Sequence, residues 1–335
     1  MGARAVIFGC AGTLLQPEER SFFAAVKPWG FILFARNVAS PSQLRRLTAD
    51  LRDSVGRDAP VLIDQEGGRV ARMRGPSWRE WLPALDACRA LPTTELRTRA
   101  MRLRYRLIAA ELRDVGIDVD CAPVLDLARP ETNAVILNRC YGDAPEEVAA
   151  VGRAVAEGLL DGGVLPVMKH MPGQGRSAID SHLDLPRVAA SRAELLAADF
   201  VPFRTLADLP MAMTAHVVYA ALDPDLPATQ SPAVIGMIRR EIGFDGLILT
   251  DDLSMQALRG GLDARAAAAL AAGCDIVLHC NGKPEEMARV AEAAPALAGA
   301  SLARAGRALA LRREAESDTA GIEAELAAIG GAADA

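Results

Sequence analysis

Eight short apolar runs recur along this chain, and each is followed by a stretch with helical spacing. That alternation limits the possible folds more than any other feature. The runs are Ala5–Phe8, Gly30–Phe34, Pro60–Asp64, Ile117–Cys121, Val164–Lys169, Met211–His216, Gly246–Thr250 and Cys274–His279. Apart from Ile117–Cys121, where two aspartates alternate with apolar residues, these runs are apolar without alternation. Strands of that kind need cover on both faces, as in a parallel sheet packed against helices.

The intervening helices carry clear start and stop signals. Ser40 and Pro41 open one with Leu44, Leu47, Leu51 and Val55 on a single face, and Gly56 follows it. Ser231 and Pro232 repeat that start, with Gly243 as the stop. Ser191 and Glu194 form a capping box, and Asp143 is read as the cap of a helix that ends at Gly162–Gly163. About eight strand–helix units over ~300 residues predict an α/β fold, a single (β/α)8 TIM-type barrel. The alternative, an open doubly wound sheet, lacks its usual GxGxxG turn. Residues 1–335 are expected to form one catalytic domain, with a terminal helix and a frayed end after about residue 317.

Composition excludes several classes. Hydrophobic residues make up 51% of the 335 and charged residues 24%, the balance of a soluble globular protein. Aromatics are only 4%, so aliphatic side chains must fill the core. A net charge of −6 argues against nucleic acid or an anionic membrane as partner. No apolar run approaches the ~20 residues of a membrane span. The six cysteines have no CxxC pair and read as reduced thiols. The opening segment lacks an A-x-A cleavage site and reads as a first strand, which predicts a cytoplasmic protein. Nothing fixes an oligomeric state, and a monomer is the working expectation.

Polar residues gather where the apolar runs end, the rim at which barrel enzymes place their chemistry. Asp64-Gln-Glu-Gly-Gly-Arg69 follows the third run, Lys169-His170 ends the fifth, and Thr214-Ala-His216 ends the sixth. Asp251 and Asp252 follow the seventh. A carboxylate at a buried strand end suits attack on an anomeric carbon, whose transition state is oxocarbenium-like. Asp251 is read as facing the barrel centre, and Asp252 as capping a helix that begins near Leu253 or as pairing. Residues 170–191 form a long connection with little regular pattern, in which Asp180 stands two residues before His182. A carboxylate so placed can orient an imidazole and raise its basicity. Alternation along the fifth strand would point only one of Lys169 and His170 at the axis. Ligand hydroxyls and the Asp64 carboxylate are the partners expected for that lysine. Arg72 and Arg139 are cations in the loops after the third and fourth strands.

Together these segments resemble the family 3 glycoside hydrolases, specifically the bacterial β-N-acetylglucosaminidases of peptidoglycan recycling. The resemblance runs through GFILFARN from Gly30, IDQEGGRVARM from Ile63, APVLDL from Ala122 and NRCYGD from Asn138. It continues through KHMPGQG from Lys169, IDSHLDLP from Ile179, TAHVVYAALDP from Thr214 and TDDLSM from Thr250. It implies Asp251 as the nucleophile of a covalent glycosyl-enzyme, His182 as general acid/base and Asp180 as its dyad partner. It implies sugar-binding roles for Asp64, Arg72, Arg139, Lys169 and His170. It also implies a (β/α)8 barrel with no metal or organic cofactor. The implied substrate is N-acetylglucosaminyl-1,6-anhydro-N-acetylmuramic acid, with or without its peptide. One departure is visible: Gln174 stands where the family usually has a second histidine.

Three other activities stay open on the residues alone. A phosphorylase would use phosphate in place of water on the same site. A metal-dependent hydrolase would use His170, Asp180, His182 and His216 as ligands, although HxH and HExxH spacings are missing. A catalytically inactive sugar-binding barrel is the third.

Overall fold

The structure, a computed structural model, describes residues 2–179, 184–315 and 318–330. Ten strands occur among them: β1 Arg4–Gly9, β2 Pro28–Leu33, β3 Val61–Ile63, β4 Val119–Asp120, β5 Leu165–Met171, β6 Arg187–Val188, β7 Met211–Thr214, β8 Val218–Tyr219, β9 Leu247–Asp252 and β10 Ile276–His279. Eight close into an all-parallel barrel in the order β1-β2-β3-β4-β5-β7-β9-β10, and β10 pairs back onto β1. The short β6 and β8 pair separately. The eight predicted runs are the eight barrel strands, so the expected (β/α)8 fold is the one formed.

Continuous apolar runs are needed because each strand serves two cores. Ile7, Ile32, Leu62, Val119, Val167, Met211, Leu249 and Leu278 pack together in one buried cluster inside the barrel. Their neighbours Val6, Phe8, Phe31, Leu33, Val61 and Ile63 belong to a second cluster shared with the surrounding helices. Each such side chain contributes about 1.5–3 kcal/mol on leaving water.

The helix signals hold in most places. Helix Pro41–Val55 is capped by the Ser40 side chain and ends at Gly56, whose φ of 63° is a left-handed conformation glycine adopts freely. Ser191 and Glu194 form the expected reciprocal cap. The tail does form a helix, Thr319–Ala328, which buries Ile322 and Leu326. Two readings are corrected. The cap of helix Pro145–Asp161 is Ala144, not Asp143, because Pro145 takes the first helical position. No helix starts near Leu253: Asp252 closes a turn instead, and the next helix is Leu262–Ala272. No helix among the described residues is long and apolar enough to cross a membrane.

Candidate active site

A cavity of about 410 Å³ opens at the C-terminal ends of the barrel strands. Ile32, Met213 and Leu278 are among its apolar lining residues. Asp64, Arg72, Arg139, Lys169, His170 and Asp251 all line it, so six of the eight predicted site residues come together. The other two, Asp180 and His182, lie outside the described residues.

The cavity wall is an alternating network of charges. Lys169, almost fully buried, places Nζ 2.7 Å from Asp64 Oδ1 and 2.6 Å from Glu66 Oε1. Arg72 Nη2 donates to the other Asp64 oxygen at 2.9 Å. Arg139 grips Glu66 through Nε and Nη2, both at 2.8 Å. Planar fork-to-carboxylate pairing of this kind fixes both partners. Burial alone would raise the Glu66 carboxyl, but Arg139 and Lys169 more than compensate and hold it at about 2. Burial likewise opposes ionisation of Asp64, and Lys169 and Arg72 drive that carboxyl far below the usual range. Both carboxyls are therefore charged at neutral pH. Lys169 has three N–H donors and these two carboxylates take two of them.

His170 is held from both sides. Its Nδ1 lies 2.7 Å from Asp126 Oδ2, and its Nε2 lies 3.3 Å from Arg139 Nη2. A guanidinium can only donate, so Nε2 accepts and the ring carries its proton on Nδ1. Asp126 is fully buried and also accepts from the Gln174 backbone N–H at 2.6 Å. The family departure at Gln174 thus sits beside the carboxylate that orients His170. Alternation fails here, since Lys169 and His170 both reach the cavity; the pairing of β5 with β7 shifts register between Met168 and Met171.

Asp251 stands at the end of β9, half-buried, with Oδ1 accepting from the Asp252 N–H at 2.7 Å. Burial opposes its ionisation. The imidazoles of His216 and His170, the Asp252 amide and Lys169 outweigh that penalty and lower its pKa. Asp252 turns away from this role. Its Oδ1 accepts from the Cys280 and Ser254 N–H groups, and its Oδ2 from the Ser254 hydroxyl. His216 is fully buried and bonds Thr229 Oγ1 through Nδ1 and the Asp252 carbonyl through Nε2. A carbonyl only accepts, so Nε2 carries a proton, and burial lowers the pKa of the ring.

Glu66 and Asp126 are the functional residues that sequence reasoning missed. Each lies inside a segment already singled out, IDQEGGRVARM and APVLDL. The available signal was electrostatic: a buried lysine and an arginine at one rim need more than one carboxylate.

The glycosyl hydrolase family 3 N terminal domain matches residues 15–305. The chain is 43% identical over 284 residues to the beta-hexosaminidase of Alkalilimnicola ehrlichii, covering 82% of this chain and 80% of that one. NagZ from Neisseria gonorrhoeae, solved with N-trifluoroacetyl-D-glucosamine, is similar with a TM-score of 0.87 at 33% identity. That match covers 99% of this chain and 98% of that one. The family 3 β-N-acetylglucosaminidase of Paenibacillus sp. str. FPU-7 gives a TM-score of 0.83 at 31% identity, and the match spans 99% of this chain but 62% of that one. The chain belongs to glycosyl hydrolase family 3.

Proposed function

We propose that this chain is a retaining exo-β-N-acetylglucosaminidase that removes the terminal sugar from muropeptide fragments through a covalent glycosyl-enzyme. That it is a glycoside hydrolase of β-N-acetylhexosaminidase type follows from the family and its relatives. The finer reading rests chiefly on one observation. Asp251 is an ionised carboxylate at the cavity, which it shares with the Asp64, Arg72, Lys169 and His170 side chains.

In this reading the array holds the sugar hydroxyls and the acetamido group, with Arg139 bracing Glu66 and His170. The third Lys169 N–H and the free lone pairs of Asp64 are the groups left for hydroxyls. Asp251 then attacks the anomeric carbon while His182, oriented by Asp180, protonates the leaving oxygen. In the second half His182 takes a proton from water, which displaces Asp251 and returns the configuration to β. Residues 1–335 act as one catalytic domain. The substrate is N-acetylglucosaminyl-1,6-anhydro-N-acetylmuramic acid, with or without peptide, which places the work in the cytoplasm.

The metal-dependent alternative fits the described residues poorly. Both nitrogens of His170 and of His216 already have partners, and no group of three or more metal-ligating side chains is assembled among the described residues. The deciding experiment traps the enzyme with a fluorinated N-acetylglucosaminide and maps the adduct by mass spectrometry. An adduct on Asp251, together with free N-acetylglucosamine as product in phosphate buffer, is expected. Turnover by Asp251→Ala should fall by at least about 10³-fold. An adduct elsewhere removes Asp251 from its role, and a sugar phosphate as main product converts the enzyme to a phosphorylase.

A further inference from the structure

Every cation deep in the cavity is already matched. Arg72 serves Asp64, Arg139 serves Glu66, and Lys169 bridges both carboxylates. Arg69 differs. It lines the same cavity yet is exposed, and no carboxylate or other side chain among the described residues bonds its guanidinium.

An unpaired surface arginine is ordinary when its backbone is loose, but this backbone is pinned. Gly67 and Val70 pair as a bridge, so Arg69 occupies the tip of a tight turn with Gly68. Arg74 donates to the carbonyls of Gly68 and Arg69 at 3.0 and 3.1 Å. Below, Arg104 and the Tyr105 hydroxyl both hold the Glu66 carbonyl. The turn is also pressed against its surroundings: a Cβ on Gly68 would stand 2.6 Å from Pro83 Cα, and one on Gly67 would stand 2.0 Å from Arg104 Nη2. Both glycines have positive φ, which leaves little room for any other residue there. The chain thus fixes the Cα of Arg69 beside the cavity while leaving the charge uncommitted.

We propose that Arg69 is a specificity-determining residue that pairs with a carboxylate on the leaving sugar. The inference rests on the N-acetylglucosaminidase reading above and deepens it. The protein carries a net charge of −6, so an anionic substrate approaches against the overall field and needs a local cation to seat it. The reacting N-acetylglucosamine is neutral, and the cations around it are spoken for. A negative charge beyond the scissile bond has Arg69 as its free partner among the described cavity residues.

The test compares one disaccharide in two forms, N-acetylglucosaminyl-1,6-anhydro-N-acetylmuramic acid and its methyl ester. For each, kcat/KM is measured with wild type, Arg69→Gln and Arg69→Lys. Wild type should prefer the free acid, and Arg69→Gln should lower the acid-to-ester ratio about 5- to 30-fold, chiefly through KM. Arg69→Lys keeps the charge but not the fork, and should hold the ratio within about threefold of wild type. The wild-type preference should also shrink as salt is raised. A ratio unchanged in Arg69→Gln, with wild type active on both forms, overturns the role of Arg69 and leaves the proposed activity standing. A wild type that cleaves neither form overturns the activity and this inference with it.

Discussion

Glu66→Gln isolates the charge that joins Lys169 to Arg139, because the substitution keeps the shape of the side chain and removes its ionisation. Glu66 is almost fully buried, so its pairings are poorly screened by water. Its carboxyl titrates at about 2 in the fold against an ordinary 4.5. That difference amounts to about 3 kcal/mol of stability at neutral pH. The folded value lies below the unfolded one, so the contribution is complete well above pH 4.5 and fades as pH falls towards 2. By about pH 3 some 2 of those 3 kcal/mol are gone. Urea denaturation of both proteins at pH 7 and at about pH 3 reads this directly. Carboxylates remote from Glu66 titrate alike in the two proteins and cancel in the difference, whereas Asp64 and Asp120, which feel its charge, shift with it. The expected gap is about 3 kcal/mol at pH 7, narrowing to about 1 kcal/mol in acid. A gap that stays constant between the two pH values would show that packing is lost rather than charge. Equal stability at pH 7 would mean that Lys169 and Arg139 are satisfied without Glu66.

Two further substitutions probe other links in the argument. Asp126→Asn can turn an amide N–H₂ toward the His170 Nδ1–H, so KM for a chromogenic N-acetylglucosaminide should rise about 5- to 30-fold with the fold intact by circular dichroism; an unchanged KM would free His170 from its dependence on Asp126. Gly158→Ala gains about 1 kcal/mol of helix propensity, yet its Cβ would stand 2.4 Å from the Arg102 carbonyl where helices Pro145–Asp161 and Thr94–Asp114 cross. Overpacking there should leave a net destabilisation of about 1–3 kcal/mol in urea, and a variant at least as stable as wild type would refute the close approach.

The barrel was legible because its signal is local and repeated. Each strand carries its own apolar run, and no long-range information is needed to count eight of them. Strand ends were less legible, since pairing rather than composition sets them. β4 shrinks to Val119–Asp120, and β9 runs on through Asp252. The Asp143 cap failed for a similar reason. A proline two residues later takes the first helical position and makes Ala144 the residue before the helix, so the usual preference for Asp at a cap misleads here.

The site was legible in its kinds of residue and not in its pairings. Asp64 could be matched to Lys169 from sequence because a buried lysine needs a carboxylate and a strand-end aspartate was at hand. Glu66 and Arg139 stand 73 residues apart, and Asp126 and His170 stand 44 apart. Only closure of the barrel makes those residues neighbours. Counting charge would still have narrowed the search. Asp64 alone would face two cations, Lys169 and Arg72, and Arg139 would have none to hold it at the same rim. A second buried carboxylate was therefore required, and Glu66, two positions beyond Asp64, was a candidate that costs no extra chain. The same count marks Arg69 as different in kind, for among the described cavity residues it is the cation that no described carboxylate matches.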